Sequence, residues 1–304
     1  MRKKILIITL LILAVGCIAL ITLAVYGKIE KFEPVAEEIH VDLPDIEKPF
    51  KILWLSDLHI ATTGSSITKP YIKDVKARDE FSQHSADKWK KYWPDFINES
   101  GADLVVFGGD MVDFGSRDNL FVFLEGLNKL TVPYIYLRCD HDVMPTYISE
   151  ESSQIAMEFM PNLGDDSDLI SYEFENFVVV GWNNSAYSMT ENGLEKMRNI
   201  CAEGKPILFM THVPIAPTSD TSLSERSREI FDGRSLLWGY NDDYYWPEYE
   251  TRQLLDILYA DDSPVAEVFC GHLHFSWDGY LTDRVKEHVF APALEGSYGI
   301  ITVD

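Results

Sequence analysis

Short apolar runs of strand type alternate with segments of helical spacing along most of the chain. Six such runs cover residues 50–57, 103–110, 132–140, 172–182, 205–212 and 265–272. Helical spacing recurs between them, and the segment 286–304 predicts two closing strands. Continuous runs of Val, Ile, Leu and Phe are typical of strands that helices cover, so the pattern predicts an α/β fold. No internal repeat appears, and residues 50–304 are expected to form one domain.

The N-terminal segment has a different pattern. Three basic residues precede an uncharged run from Ile5 to Val25. About 20 apolar residues suffice to cross a bilayer as a helix, so we expect a membrane anchor in residues 1–27. The basic end predicts a cytoplasmic N-terminus, with the rest of the chain outside the cell membrane. A cleaved signal, with a lipoprotein-like AVGC sequence ending at Cys17, is the alternative. Residues 28–49 are then a stalk and a lead-in strand.

The chain is strongly acidic, with a formal net charge of −23. Such a charge repels nucleic acid polymers and anionic membrane surfaces, so a nucleic-acid-binding module is not expected. Cys139, Cys201 and Cys270 lie outside the N-terminal run, and their odd number and wide spacing do not form a disulfide framework. Three interpretations of Cys139 stay open: a small buried residue, a redox-sensitive thiol, or a disulfide partner of Cys270.

Five of the apolar runs end in residues that suit metal coordination. These are Asp57 and His59, Asp110, Asp140 with His141 and Asp142, His212, and His272 with His274. Ligands bind at the carboxyl ends of strands in open α/β sheets, so we expect the five tips to meet at one edge. Mixed carboxylate and imidazole ligands favour Mn²⁺, Fe²⁺ or Zn²⁺. Because the candidate ligands exceed the need of one ion, the pattern predicts a site for two divalent metal ions.

The ordered series SDLH, GGD, CDHD, TH and GHLH resembles the motifs of the calcineurin-like metallophosphoesterases. The similarity runs from about residue 50 to the C-terminus. It implies a sandwich of two β-sheets flanked by helices, a four-layer αββα arrangement, with a dinuclear metal centre at the strand ends. It also implies a phosphodiesterase or phosphatase that acts on a small phosphoester.

The resemblance also implies roles for individual residues. One ion would be held by Asp57, His59 and His274, and the other by Asp140, His212 and His272. Asp110 would bridge the two ions. His141 would stay uncoordinated near the leaving group, oriented by Asp142, so that these two form the expected catalytic pair.

Two positions depart from the family's pattern. Cys139 stands where the family has Gly, and Asp140 stands where it has Asn. If that Gly has a positive φ, a Cys there carries strain. Asp140 adds a negative charge to the centre, which predicts firm metal binding with slower or shifted hydrolysis. The alternative function is a metal-binding surface protein of the same fold with weak or no activity.

Two further features have alternative interpretations. The segment 232–252 is rich in Trp and Tyr, and it forms either a wall over the metal ions or a surface excursion whose rings pack against the domain. Asp113 either hangs over the site or caps a helix.

Overall fold

The apolar runs of the sequence form the strands of two mixed sheets. The computed structural model describes residues 32–304 apart from 150, 153, 155–157, 159–167, 185–187 and 241–246. Pro34–Asp304 form one compact unit. The expected anchor in residues 1–27 lies outside the described residues. Within the part of the chain that is described, no helix has the length and apolar character needed to span a membrane.

The first sheet has five strands in the order β1-β11-β2-β3-β4. They are β1 (Val35–Val41), β2 (Phe50–Leu55), β3 (Leu104–Phe107), β4 (Tyr134–Tyr136) and β11 (Ser297–Val303). Strands β2, β3 and β4 run parallel, while β11 is antiparallel to β2 and parallel to β1. The carboxyl ends of β2, β3 and β4 therefore lie at the same edge of the sheet.

The second sheet has six strands in the order β5-β6-β7-β8-β10-β9. They are β5 (Leu169–Glu173), β6 (Val178–Trp182), β7 (Ile207–Thr211), β8 (Val265–Cys270), β9 (Trp277–Tyr280) and β10 (Lys286–Val289). The four central strands are parallel, and β5 and β9 are antiparallel to their neighbours. The carboxyl ends of β7 and β8 are thus side by side.

The described helices fall between the strands. They are α1 (Ile72–Phe81), α2 (Ser85–Lys91), α3 (Trp93–Glu99), α4 (Arg117–Leu127), α5 (Asp140–Val143), α6 (Glu191–Ala202), α7 (Ser222–Ile230) and α8 (Tyr249–Tyr259). Two short 3-10 helices, Lys69–Tyr71 and Ala293–Glu295, complete the set.

The inner faces of the two sheets meet in one buried cluster. Trp54 and Val106 of the first sheet lie in it with Met210 and Phe269 of the second, and none of the four is exposed to solvent. Removing this much apolar surface from water stabilises the fold by about 1.5–3 kcal/mol for each large side chain. The apolar contact also fixes the two sheets face to face, which is how their strand tips come together.

Helices cover the outer face of each sheet. The Phe107 ring of β3 lies 5.6 Å from Trp89 of α2 and 5.4 Å from Phe123 of α4, measured between centroids. On the second sheet, Val180 of β6 packs in one cluster with Met197 of α6 and Leu254 of α8. The predicted α/β architecture of two sheets with flanking helices is confirmed.

Some elements differ from the expectation. The run 172–182 forms two antiparallel strands, β5 and β6, rather than one. The chain turns back between Phe174 and Phe177, where the N–H of Phe174 donates to the carbonyl oxygen of Phe177 at 2.9 Å. Helices α1 and α7 and strand β9 were not predicted. Strand β1 lies in the segment 28–49 and pairs along its whole length with β11.

Candidate dinuclear metal centre

The strand tips with candidate ligands are tied to one another by main-chain hydrogen bonds. The N–H groups of Asp57 and His59 donate to the carbonyl oxygens of Gly109 and Asp110, at 3.0 and 2.9 Å. Across the two sheets, the N–H of His272 donates to Oδ2 of Asp57 at 3.1 Å. The predicted convergence of tips from both sheets therefore occurs, and it is fixed by backbone as well as side chains.

Five of the candidate ligands have a left-handed backbone. Their φ angles are 57° at Asp57, 47° at His59, 52° at Asp110, 70° at His272 and 53° at His274. A positive φ is uncommon outside Gly, although Asp and His adopt it more readily than bulky residues. Each residue in this conformation lowers the free energy of unfolding by on the order of 1–3 kcal/mol, and such residues concentrate at functional sites. The rest of the fold therefore has to hold these tips in place.

The second Gly of the GGD motif, Gly109, is required by close packing as well as by conformation. Gly109 has a φ of 98°, and a Cβ built there would lie 2.6 Å from Nδ1 of His212. A side chain at this position would displace the His212 ring. The motif thus needs Gly109 so that β3 can approach the imidazole of the neighbouring sheet.

One group of three candidate ligands joins the tips of β2 and β8. Asp57, His59 and His274 each offer one atom, and these atoms lie within 4.8 Å of one another. Nε2 of His274 is 3.3 Å from Oδ1 of Asp57 and 3.2 Å from Nε2 of His59. Nitrogen and oxygen donors that point at one spot are what a divalent ion requires.

A second group surrounds Asp110. Nε2 of His212 lies 3.2 Å from Oδ2 of Asp110 and 3.3 Å from Nδ1 of His272. The same Oδ2 of Asp110 is 3.7 Å from Nε2 of His59, a member of the first group. Asp110 thus lies between the two groups, which is the position that a bridging carboxylate would take. Among the described residues, the three-residue ligand groups leave out Asp140 and His272, and one of them includes His141 beside His59 and Asp110. The coordination of Asp140 and His272 therefore stays a prediction.

Hydrogen bonds on the far side of the rings select which nitrogen faces the site. Nδ1 of His212 donates to the carbonyl oxygen of Gly108 at 2.7 Å, and Nδ1 of His59 donates to Oδ1 of Asp113 at 3.0 Å. With Nδ1 as the donor in these bonds, Nε2 of each ring faces the site and is the nitrogen that would bind an ion. Such supporting bonds commonly orient metal-ligating histidines.

The electrostatics of the site are dominated by two buried carboxylates. Burial opposes ionisation, but the charge on His212 and other nearby imidazoles holds the pKa values of Asp57 and Asp110 below their usual range. Burial lowers the pKa of His212, yet Asp110 and Asp57 raise it to about 10. Burial and the neighbouring His212 lower the pKa of His272 to about 3. The carboxylates therefore require positive charge beside them.

The polar atoms present fit a pair of divalent cations. Oδ1 of Asp57 and Oδ1 of Asp110 are buried and receive no hydrogen bond. A buried carboxylate oxygen without a donor is costly unless a cation neutralises it. Metal ions at the two ligand groups would satisfy both oxygens.

Comparison with known proteins agrees with this geometry. The profile of the calcineurin-like phosphoesterase family matches residues 50–276. The chain belongs to the calcineurin-like phosphoesterase family. It is accordingly a phosphoester hydrolase whose cofactors are two divalent metal ions.

Solved structures with a similar fold are distant in sequence. A dimetal phosphatase from Danio rerio is 12% identical, with a TM-score of 0.47 over 81% of this chain and 88% of that chain. The purple acid phosphatase PPD1 from yellow lupin seeds is 11% identical, with a TM-score of 0.46 over 80% of this chain and 44% of that chain. A search of curated proteins found no matching sequence.

The imidazole of His141 is positioned by Asp113 in this phosphoesterase. Nδ1 of His141 donates to the carbonyl oxygen of Asp113 at 3.0 Å, and Oδ1 of Asp113 is 3.6 Å away. The His141 side chain is 32% exposed, so it can meet a substrate. Burial lowers its pKa, but Asp110 and other acceptors raise the pKa to about 9.

Asp142 has a different role from the one expected. Its Oδ1 accepts from the N–H of Val112 and its Oδ2 from the N–H of Cys139, both at 2.9 Å. It is fully buried. The prediction that Asp142 orients His141 is therefore wrong: Asp142 fixes the backbone at the start of α5, while Asp113 holds the ring. Burial and the nearby Asp110 raise the pKa of Asp142 to about 7.

The Asp113 carboxylate links the side chains of His59 and Arg78, which the motifs do not connect. It accepts from Nδ1 of His59 and from Nε of Arg78 at 2.7 Å, and it also contacts a terminal nitrogen of Arg78. Burial opposes ionisation, yet Arg78 and His59 hold the pKa of Asp113 well below its usual range. The sequence pattern marks Asp113 as a candidate but gives no signal for Arg78, because α1 was not predicted.

Two Phe rings flank the histidines of the centre. Phe81 of α1 is half exposed and lies 6.4 Å from His274, with the ring planes 27° apart. Phe231 lies 6.5 Å from His272, with the planes 8° apart. These two imidazoles therefore each lie beside an aromatic ring.

The aromatic segment 232–252 is described only in part, since residues 241–246 lie outside the described chain. Trp238 is 1% exposed, and its ring is 5.4 Å from that of Trp182. Trp238 therefore packs in the core behind the second sheet. For this ring the packing interpretation is correct.

The structure also excludes one of the three interpretations of Cys139. Cys139, Cys201 and Cys270 are free thiols, so the Cys139–Cys270 disulfide is not formed. The φ of Cys139 is −125°, which any L-residue adopts without strain. The expected strain at this position is absent.

Proposed function

We propose that the chain hydrolyses a small phosphomonoester or phosphodiester at a centre built from the seven predicted ligands. Asp57, His59 and His274 hold one ion, Asp140, His212 and His272 hold the other, and Asp110 bridges them. The observation that carries this proposal is the position of Asp110, whose Oδ2 lies 3.2 Å from His212 and 3.7 Å from His59. One carboxylate oxygen thus faces a ligand of each ion.

Two divalent ions in this site would supply an activated hydroxide and would neutralise charge on the phosphoryl oxygens. Among the protein's own side chains, His141 is the one that would act on the substrate directly. With Nδ1 donating to the Asp113 carbonyl, the Nε2 of His141 is the nitrogen left for a substrate oxygen. An imidazole placed in this way can protonate or stabilise the leaving oxygen, which is typically worth about 10²–10⁴-fold in rate.

The charge of Asp140 sets an expectation for the rate. An ionised carboxylate where the family has a neutral amide makes the centre less positive, so an anionic substrate is attracted less strongly. We expect Asp140→Asn to raise phosphodiesterase turnover severalfold, measured at saturating metal. A clear drop in turnover would contradict this account of Asp140.

The proposed function is tested on the purified full-length chain in detergent. Metal content is measured first, and bis-p-nitrophenyl phosphate and p-nitrophenyl phosphate are then assayed with Mn²⁺. We expect turnover that falls about 10²-fold or more in His141→Gln while the metal content stays unchanged. Full metal occupancy with no turnover on either ester would instead favour a metal-binding surface protein.

The location of the enzyme is a further part of the proposal. The uncharged run from Ile5 to Val25, with basic residues before it, supports an N-terminal membrane anchor with the hydrolase domain outside the cytoplasm. Membrane fractionation and the intact mass of the mature chain test this. Recovery in the soluble fraction with the first residues removed would instead indicate a cleaved signal.

A further inference from the structure

Cys139 lies inside the metal centre rather than in an apolar core. It directly precedes α5 and is 2% exposed. Its Sγ lies within 4.8 Å of one ligand atom from each of Asp110 and His212, and those two atoms lie within 4.8 Å of each other. The thiol thus meets the same distance limit as the members of the Asp57 group.

The surroundings of the thiol are those of a ligand site. Sγ donates to Oδ1 of Asp140 at 2.9 Å, so it points at a carboxylate. Asp110, a member of the same group, has a buried Oδ1 that receives no hydrogen bond. A small apolar residue would not require a carboxylate on one side and an unsatisfied carboxylate oxygen close by.

We propose that Sγ of Cys139 is a ligand of the second metal ion, together with Asp110 and His212. This inference rests on the proposed two-metal ligand set but not on turnover. A thiolate favours zinc and other softer ions over Mn²⁺ and Mg²⁺. The residue that departs from the family's Gly would therefore tune which metal occupies this half of the centre.

Coordination changes the protonation of the thiol. The S–H bond breaks as the sulfur–metal bond forms, and the proton leaves along the hydrogen bond to Asp140 and reaches the buffer. Metal binding by wild type therefore releases one more proton than binding by Cys139→Ser. A pH-stat or a weakly buffered indicator dye can count this proton during zinc titration.

The decisive experiment is zinc K-edge X-ray absorption on the full-length chain loaded with two equivalents of Zn²⁺. We expect a sulfur shell at about 2.3 Å beside nitrogen and oxygen at about 2.0–2.1 Å, with one sulfur for two zinc ions. The sulfur shell should disappear in Cys139→Ser. It should remain in Cys201→Ser and Cys270→Ser, the matched thiol controls.

Metal preference provides a second measurement. The ratio of zinc to manganese affinity should fall about tenfold or more in Cys139→Ser, and also in Cys139→Ala. Circular dichroism of each variant would check that the fold is kept.

Each outcome separates this inference from the proposed function. A wild type that binds two zinc ions without a sulfur shell overturns the inference, whether or not it turns over substrate. A sulfur shell that depends on Cys139, in a protein without turnover, supports the inference and refutes the proposed function. Failure to bind zinc at all contradicts both.

Discussion

Two clusters of acids and imidazoles in this molecule have a similar composition but opposite organisation. In the second sheet, His288 of β10 places Nε2 2.9 Å from Oε2 of Glu267 and Nδ1 2.6 Å from Oδ1 of Asp278. We call these three residues the His288 triad. Their backbone lies within the regular strands β8, β9 and β10. Each ring nitrogen of the triad has its own carboxylate.

In the metal centre, imidazoles face one another as well as the carboxylates. Nε2 of His59 faces Nε2 of His274 at 3.2 Å, and Nε2 of His212 faces Nδ1 of His272 at 3.3 Å. An imidazole placed against another imidazole has no opposite charge beside it, unlike an imidazole placed against a carboxylate. Carboxylate oxygens remain without donors, and five ligands have a positive φ. In the His288 triad, each imidazole nitrogen has a carboxylate partner within the protein. In the metal centre, some carboxylate oxygens have no donor, and this lack of internal partners distinguishes a ligand site from a structural cluster of the same residue types.

The largest effect is expected from removing the bridging charge. Asp110→Asn leaves the shape of the side chain but removes the carboxylate that faces both ligand groups. We expect kcat/KM for bis-p-nitrophenyl phosphate to fall about 10³-fold or more, roughly 4 kcal/mol of transition-state stabilisation. Isothermal titration should show that at least one ion is lost.

The matched control is a carboxylate of the His288 triad. Asp278→Asn also removes a charge that contacts an imidazole, yet it should leave kcat/KM within about twofold of wild type. If both variants lost activity equally, the two clusters would not differ as described.

Metal removal should separate the clusters by stability. At an ion concentration of 100 times Kd, each bound ion stabilises the folded chain by about 2.7 kcal/mol, which is about 5–10 °C in Tm for a domain of this size. We expect chelation to lower Tm by this amount for each ion in wild type and in His288→Gln. Asp110→Asn, which loses at least one ion, should show a smaller shift, and a full shift in that variant would be evidence against its role.

Asp113 is expected to have an intermediate effect. It accepts from Nδ1 of His59 and pairs with Arg78, so Asp113→Asn loses the charge that fixes both. Changes to such a partner typically reduce metal affinity or activity about 10–100-fold. Metal affinity by calorimetry, measured beside kcat, distinguishes this role from direct contact with substrate.

Arg78→Lys is the conservative comparison for Asp113. Lys keeps the positive charge but lacks the planar fork that contacts the carboxylate twice. We expect a loss smaller than that of Asp113→Asn. Unchanged metal affinity in Asp113→Asn would show that the His59 ring is held by other contacts.

The sequence predicts the centre well where ligands sit directly after buried strands. The runs that precede Asp57, Asp110, His212 and His272 are continuous and apolar, so their strands and their shared edge follow from pattern alone. The left-handed backbone at these tips was not predictable, because Asp and His do not mark a positive φ as Gly does.

The missed parts have physical causes. Helix α1 buries only Val75, so it lacks the apolar stripe by which a helix is predicted from sequence. The positions of Arg78 and Phe81 on this helix were therefore not predicted. Asp142 is adjacent to His141 in sequence, but consecutive residues in a helix do not face each other. The partner of His141 comes instead from the loop after β3, a contact made only in the folded chain.

The smallest effect, a dependence of stability on pH, tests the His288 triad directly. Burial lowers the pKa of His288, but hydrogen bonds to Asp278 and Glu267 raise it above its usual 6.5. A folded-state pKa above the unfolded value means that the stabilisation is complete below pH 6.5 and is lost as pH rises through the folded pKa. Strand β10 and the adjoining β8 also carry Lys286, Glu287 and Cys270. Burial raises the pKa of Glu287 to about 8, so Glu287 also makes the folded chain less stable as pH rises.

The contribution of His288 is therefore measured as a difference between wild type and His288→Gln, in which the other groups cancel. At pH 6 the variant should be about 2 kcal/mol less stable, the usual worth of hydrogen bonds to charged groups. The gap in the free energy of unfolding, measured by urea titration, should narrow by pH 9 as the wild-type imidazole loses its charge. A gap that stays constant from pH 6 to pH 9 would mean that His288 is neutral in the folded protein. The triad would then be a set of neutral hydrogen bonds, and the contrast with the metal centre would rest on geometry alone.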